Sequence, residues 1–282
     1  MKFGILGPVV MASDDSPLAI GAPRQQVVLA TLLLGANHLA ATDYLVECAW
    51  WQEPPPSATV NIRGHIAGLR RLLRDAGEPE DRLTTHSGGY TLRVEAGELD
   101  LSTFMEELRL GDQALAEGAI AEAAERFTAA LQVWRGRPLE GLSLGVPLRA
   151  ELERLGELRL LAIERYAQTQ LDLGQPDTLV PELQALTTQH PFRERLWELL
   201  IKALHRSGRQ AEALATYARV RRILAEELGV DPMEQLRRLE EMILRGDSDL
   251  GAPARAMETV PACQARLPGI RVKRVAFPGG LG

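Results

Sequence analysis

The stretch TVNIRGHIAGLRRLL, Thr59 to Leu73, sets Arg63, Arg70 and Arg71 beside Gly64, Ala67 and Gly68, with Arg74 following. Arginine carries a planar fork of donors that fits guanine edges and phosphate oxygens, and small residues let a backbone approach a groove closely. Ile62, Ile66, Leu69 and Leu73 recur at the spacing of one helix face. With that stripe inward, Arg63, Arg70 and Arg74 project together roughly 80–120° away from it, with Ala67 between them. Val60, Gly64 and Arg71 point away from the core, and Gly68 lies slightly beyond. Thr59 and Asn61, near the helix start, are candidate base readers, with Asn61 turned to the side. Each helical glycine costs roughly 0.8–1 kcal/mol against alanine. Three readings compete: a helix lying in a major groove, a solvated helix kept soluble by its arginines, and close helix packing through the Gly-x-x-x-Gly face. Solvation gives the glycines no purpose. His65, at the edge of the stripe, is placed either to reach a phosphate or to pack half-buried.

The elements around this helix follow from local signals. KFGILGPVVMA and PLAI are apolar runs separated by the turn-rich SDDS and predict an antiparallel pair. PRQQVVLATLLLGA predicts a first helix opening at Pro23, whose N-terminal turn would offer backbone N–H groups, with Arg24 and Gln25, to a phosphate. Thr42 is the expected cap of a second helix, DYLVECAWW, and the prolines of QEPPPSA end it. Ser57 is the expected cap of the third helix, Ala58 to Arg74. LTTHSGGYTLRV predicts a hairpin turning at Ser87-Gly88-Gly89. Strands, three helices and a hairpin within about 100 residues are the plan of a winged helix-turn-helix. In it Thr84, Thr85, His86 and Ser87 form the wing, Arg93 is placed to pair with a phosphate, and Tyr90 is core.

From Leu99 the sequence turns to Ala, Leu, Glu and Arg at helical spacing. Windows at 104–137, 160–193 and 194–227 fit helical hairpins of the tetratricopeptide kind, through Ala123, Phe127 and Ala130, then Leu179, Leu183 and Leu186, then Trp197, Leu200, Ala213, Tyr217 and Val220. The middle window is degenerate, and residues 138–159 interrupt the array. The expected domains are 1–97, a winged helix, and 98–247, a helical repeat; 248–282 is expected to be a flexible basic tail bearing Arg266, Arg271, Lys273 and Arg274. The fold class is thus mainly α, with an α+β N-terminal domain.

Charge is uneven: residues 1–98 hold 8 Lys+Arg against 11 Asp+Glu, 99–250 hold 19 against 26, and 251–282 hold 5 against 1. Nucleic-acid binding must therefore come from a local positive face on a mildly acidic background. There is no HExxH, GxSxG or GxxxxGK[ST] and no Cys/His cluster, and His38, His65, His86, His190 and His205 are scattered. An enzyme is not expected, nor a metal or cofactor. Cys48 and Cys263 suggest no disulfide framework, and no run reaches the roughly 18 apolar residues of a membrane span. A cytoplasmic, nucleoid-associated protein without membrane contact is expected.

FGILGPVV, PRQQVVLATLLLGAN, LVECAWWQEPPPSA, LRRLLR, GGYTLRV, ELDLSTF, SGRQAEALATYARVRRILAEELGVDP and LRGD together resemble the Streptomyces antibiotic regulatory proteins, across about residues 2–247. The resemblance implies an OmpR/PhoB-type winged helix, which also has a histidine at the place of His65, joined to a bacterial transcriptional activator domain. It further implies binding of a homodimer to direct repeats in double-stranded promoter DNA near the −35 element of an antibiotic gene cluster, and recruitment of RNA polymerase holoenzyme through sigma factor region 4 and other subunits. The loop Trp51, Gln52, Glu53, Pro54 and Pro55 corresponds to that type's transactivation loop, with Trp50 expected in the core. Where this chain has Ala67-Gly68 the family commonly carries a polar pair such as Ser-Arg, which implies fewer base contacts and more reading of DNA shape. The rival expectation is a helical-repeat scaffold that binds proteins and not DNA.

Overall fold

A computed structural model describes residues 1–14, 16–50 and 52–246. Trp51 and the expected tail, residues 248–282, lie outside the described residues. The chain divides into two compact units, residues 1–109 with 129–160, and residues 110–128 with those from 161 onward, so the division falls inside three helices.

In the first unit the N-terminal apolar run is not one strand. The Gly7-Pro8 turn splits it into β1 (Lys2–Gly4) and β2 (Val10–Ser13), paired antiparallel with Phe3 opposite Met11, and β3 (Ser16–Pro17) adds a third strand. PLAI thus contributes only its proline to a strand. α1 (Pro23–Leu34) opens at Pro23 as predicted, since proline's missing N–H is no loss at a helix start. A second sheet has the order β4-β6-β5, from β4 (Ala40–Ala41), β5 (Leu83–His86) and β6 (Gly89–Leu92). Tyr90 is buried in it, as expected. Asn37 takes a left-handed conformation (φ 67°) that asparagine tolerates, and its carboxamide exchanges two 2.9 Å hydrogen bonds with the Val94 backbone, pinning the α1–β4 turn to the end of the hairpin.

Two caps differ from expectation. α2 spans Thr42–Ala49, so Thr42 is its first residue and Ala41 precedes it without a side-chain cap; Trp50 leaves the helix in extended conformation. α3 spans Ala58–Asp75, and the Ser57 hydroxyl makes no cap bond to its backbone. It instead accepts a 3.3 Å hydrogen bond from Asn61 Nδ2. With the caps weak, packing holds α3. Ile62, Ile66, Leu69 and Leu73 are buried against α1 and α2, each stabilising the fold by about 1.5–3 kcal/mol.

The first unit continues beyond the hairpin. Leu99 bridges to Phe3, and Asp100, at the start of α4 (Asp100–Ala116), accepts the Ile5 and Leu6 N–H groups at 2.9 and 3.0 Å. α5 (Ile120–Gln132) follows. The segment 135–145, which leads into the interruption at 138–159, lies on the winged helix: Arg135 N donates to Leu6 O (2.8 Å), Leu139 N to Ile5 O (3.2 Å) and Gly145 N to Cys48 O (3.0 Å). Residue 145 must be glycine, because a β-carbon there would strike the Glu47 carbonyl. α6 (Val146–Asp172) begins immediately after.

In the second unit, α7 (Val180–Gln189) packs on α8 (Glu194–Arg206), α8 on α9 (Gln210–Leu228), and α10 (Glu234–Arg245) on both α8 and α9. The pattern residues Trp197, Leu200, Ala213, Tyr217 and Val220 are all buried there, and Trp197 Nε1 donates to Pro191 O (2.9 Å).

Candidate nucleic-acid interface

The outward face of α3 is built from residues that its apolar stripe excludes from the core. Thr59, Val60, Asn61, Arg63, Gly64, Ala67, Arg71 and Arg74 are exposed, and Val60 is a bare aliphatic side chain 63% accessible. Arg63, Arg71 and Arg74 form no ion pair among the described residues. Such a face offers unneutralised guanidinium groups, a hydrophobic branch of the size that meets a thymine methyl, and a smooth backbone at Gly64.

The two glycines part company. Nothing lies within 4 Å of where a Gly64 β-carbon would be, so that surface is open. Gly68 is half-buried, and a β-carbon on it would stand 2.7 Å from Gln25 Nε2 of α1. The helix-packing reading therefore holds for Gly68, whereas Gly64 keeps the open surface that the major-groove reading requires. Gly68 is not a bare outward surface.

Arg70 also departs from expectation. Its Nε donates to Leu83 O (2.9 Å) and its terminal nitrogen to Thr85 Oγ1 (2.7 Å), so it braces the hairpin against α3 and does not project freely. The reason is position: at roughly 80° from the stripe an arginine reaches the neighbouring strand before it reaches open space. Thr85 is engaged by the same contact. Arg93, expected free for a phosphate, is ion-paired with Asp81 (2.9 Å) and Glu95 (3.2 Å), which neutralise it. His86 and Ser87 are exposed at the hairpin tip, with the His86 ring 2.9 Å from Thr84 Oγ1.

His65 is half-buried. Burial, and then the positive charge of Arg24, push its pKa below the usual histidine value, which favours the neutral imidazole. Arg24 is exposed with its guanidinium 5.1 Å over the Trp50 ring, and Trp50 is buried as expected. Beside these residues runs an open groove of about 770 Å³, bordered by Pro23, Val27, Ala49, Val60, Gly64 and Ser143. Gln52, Glu53, Pro54 and Pro55 are exposed on the loop between α2 and α3.

Local patterning had no means of finding the groove, the Arg70 brace or the meeting of Gln25 with Gly68. Each joins residues from separate elements. The one available signal was that Gly68 is as small as Gly64.

A winged helix with an arginine-bearing third helix, followed by helical hairpins, is the architecture of a two-part transcription regulator. The model of the bacterial transcriptional activator domain matches residues 99–244. Regulatory protein AfsR of Streptomyces coelicolor is 40% identical over 272 residues, which cover 95% of this chain and 27% of AfsR. Regulatory protein DnrI of Streptomyces peucetius is 35% identical over 253 residues, covering 88% of this chain and 93% of DnrI. The solved structure of Mycobacterium tuberculosis EmbR in complex with a low affinity phosphopeptide matches with a TM-score of 0.83 at 37% identity, over 87% of this chain and 65% of that one. The chain belongs to the Streptomyces antibiotic regulatory protein family of transcriptional activators. Its relatives AfsR and DnrI are regulatory proteins, and EmbR of Mycobacterium bovis is a transcriptional regulatory protein. Among the described residues no helix is long and apolar enough to cross a membrane, and no group of acidic, histidine and cysteine side chains is arranged to hold a metal ion.

Proposed function

We propose that this protein activates transcription by laying α3 in the major groove of double-stranded promoter DNA, at direct repeats near a −35 element in an antibiotic or other secondary-metabolite gene cluster. The observation that carries the reading is the face of α3 on which Arg63, Arg71 and Arg74 stand exposed and, among the described residues, without an ion pair around the open backbone of Gly64. Arg63, Arg71 and Arg74 meet guanine edges or phosphates, Thr59 and Asn61 the bases near the helix start, and Val60 a thymine methyl. Residues 1–97 act as the DNA-binding domain and 98–247 as the activator domain. Two protomers lie head-to-tail, because direct repeats demand a heterologous contact and not a two-fold one. The exposed Gln52, Glu53, Pro54 and Pro55 present one acidic group and a stiff backbone to a basic surface of RNA polymerase or its sigma factor.

The test is a fluorescence-anisotropy titration on a duplex carrying the direct repeats upstream of the regulated cluster, alongside a duplex with the repeats scrambled. Tight binding to the first alone is expected. Arg63→Ala and Arg71→Ala should each weaken it and lower the salt slope by about 1 for a phosphate contact. Equal affinity for both duplexes, or charge reversal at Arg71 without effect, would refute the reading.

A further inference from the structure

Gln25 is the third residue of α1, and two glycines make room for its side chain. A β-carbon on Gly68 of α3 would stand 2.7 Å from Gln25 Nε2 and 3.5 Å from Oε1, and one on Gly21 would collide with Oε1. The carboxamide thus lies in a slot with bare backbone on both sides. Neither of its ends makes a hydrogen bond among the described residues. Its neighbour Gln26 behaves differently: that carboxamide donates to the Ile20 and Gly21 carbonyls at 3.1 and 3.3 Å and serves the fold. Arg24 is held over Trp50, so Gln25 is the side chain of this turn that meets α3 with its hydrogen-bonding capacity unspent.

The position of the slot gives that capacity a use. Gly68 lies about one turn along α3 from Gly64, whose surroundings are open, and its β-direction is roughly 130° from the apolar stripe, on the flank of the outward face. A carboxamide placed there offers a donor and an acceptor together, the pattern that pairs with N7 and N6 of adenine in the major groove. We propose that Gln25 is a specificity-determining residue, which reaches past Gly68 from α1 to read an adenine beside the bases met by α3. The proposal rests on the DNA-binding reading above. It also assigns Gly68 a role that helix propensity opposes: any side chain at that position would displace the reader.

The test is selection from a pool of randomised duplexes by the wild-type full chain and by Gln25→Ala, Gln25→Glu and Gly68→Ala, with thermal unfolding of each. The wild type should enrich one A·T pair per repeat that becomes degenerate with Gln25→Ala, the preference there falling about 5- to 150-fold while other positions hold. Gln25→Glu, which can only accept, should shift the preference towards cytosine, and Gly68→Ala should blur the same pair. A Gln25→Ala motif identical to the wild type overturns the proposal. So does a uniform loss of affinity with a salt slope lower by about 1, which marks a phosphate contact. Failure of the wild type to select any motif overturns the DNA-binding reading itself, a result distinct from either. Should Gln25→Ala unfold, the Glu and Gly68 variants decide by the same pair.

Discussion

Alanine at position 64 is expected to stabilise the folded protein and to weaken its complex with DNA. Nothing lies within 4 Å of the added methyl, so the folded state meets no clash. Gly64 stands in the middle of an 18-residue helix, where alanine is favoured by roughly 0.8–1 kcal/mol. For a protein of this size that gain raises the thermal midpoint by about 2–4 °C. Bound to DNA, the same methyl enters a surface argued to touch the groove closely, and overpacking a tight contact costs about 1–3 kcal/mol. That cost is an affinity loss of about 5- to 150-fold. Thermal unfolding and anisotropy titration on one preparation give both numbers. A higher midpoint with unchanged affinity would refute the idea that the bare surface serves DNA. A lower midpoint would show that the surroundings of residue 64 are not open.

Arg70→Ala should lower stability by about 1–2 kcal/mol, through loss of two hydrogen bonds to the hairpin. It should also weaken DNA binding without changing the salt slope, which separates a brace from a phosphate contact. Arg82, buried and ion-paired with Glu78 (3.2 Å) and Glu98, should cost about 3 kcal/mol when replaced by alanine, measured by urea unfolding, because two carboxylates lose a guanidinium partner and keep only the Met1 amino group, at 3.8 and 3.5 Å. Burial opposes ionisation of Glu98, yet its contacts with the Glu95 backbone and Arg82 hold its pKa below the usual carboxylate value. Its stabilisation is thus present above the unfolded value and lost as pH falls through the folded one. For His65 the lowered pKa means that folding favours the neutral ring. Its contribution is complete above the unfolded value near 6.5 and is lost as pH drops below it. The thermal midpoint of His65→Gln should accordingly fall less between pH 7.5 and pH 5 than that of the wild type.

Much of the winged helix was legible because its signals are local. Pro23 opens α1, the prolines of the 50–57 loop forbid helix, the stripe from Ile62 to Leu73 sets the inward face of α3, and Ser87-Gly88 turns the hairpin. The capping hydroxyls of Ser57 and Thr42 misled because a serine or threonine before a helix only permits a cap. Whether the bond forms depends on a backbone geometry that neighbours impose. Likewise Gly7-Pro8 broke a run whose apolar composition looked continuous.

The sequence by itself determined which face of α3 is buried, since a 3.6-residue period fixes each side chain's angle on its own helix. It determined equally that the exposed face is rich in arginine and poor in side-chain bulk. Only the tertiary structure decided what each outward residue meets. It turned Arg70 towards the hairpin, neutralised Arg93 with Asp81 and Glu95, laid residues 135–145 on the winged helix, and brought Gln25 across to Gly68. Periodicity gives directions within one element, whereas these contacts, the Arg93–Glu95 pair apart, join residues 12 to 134 positions apart, whose meeting depends on how whole elements pack.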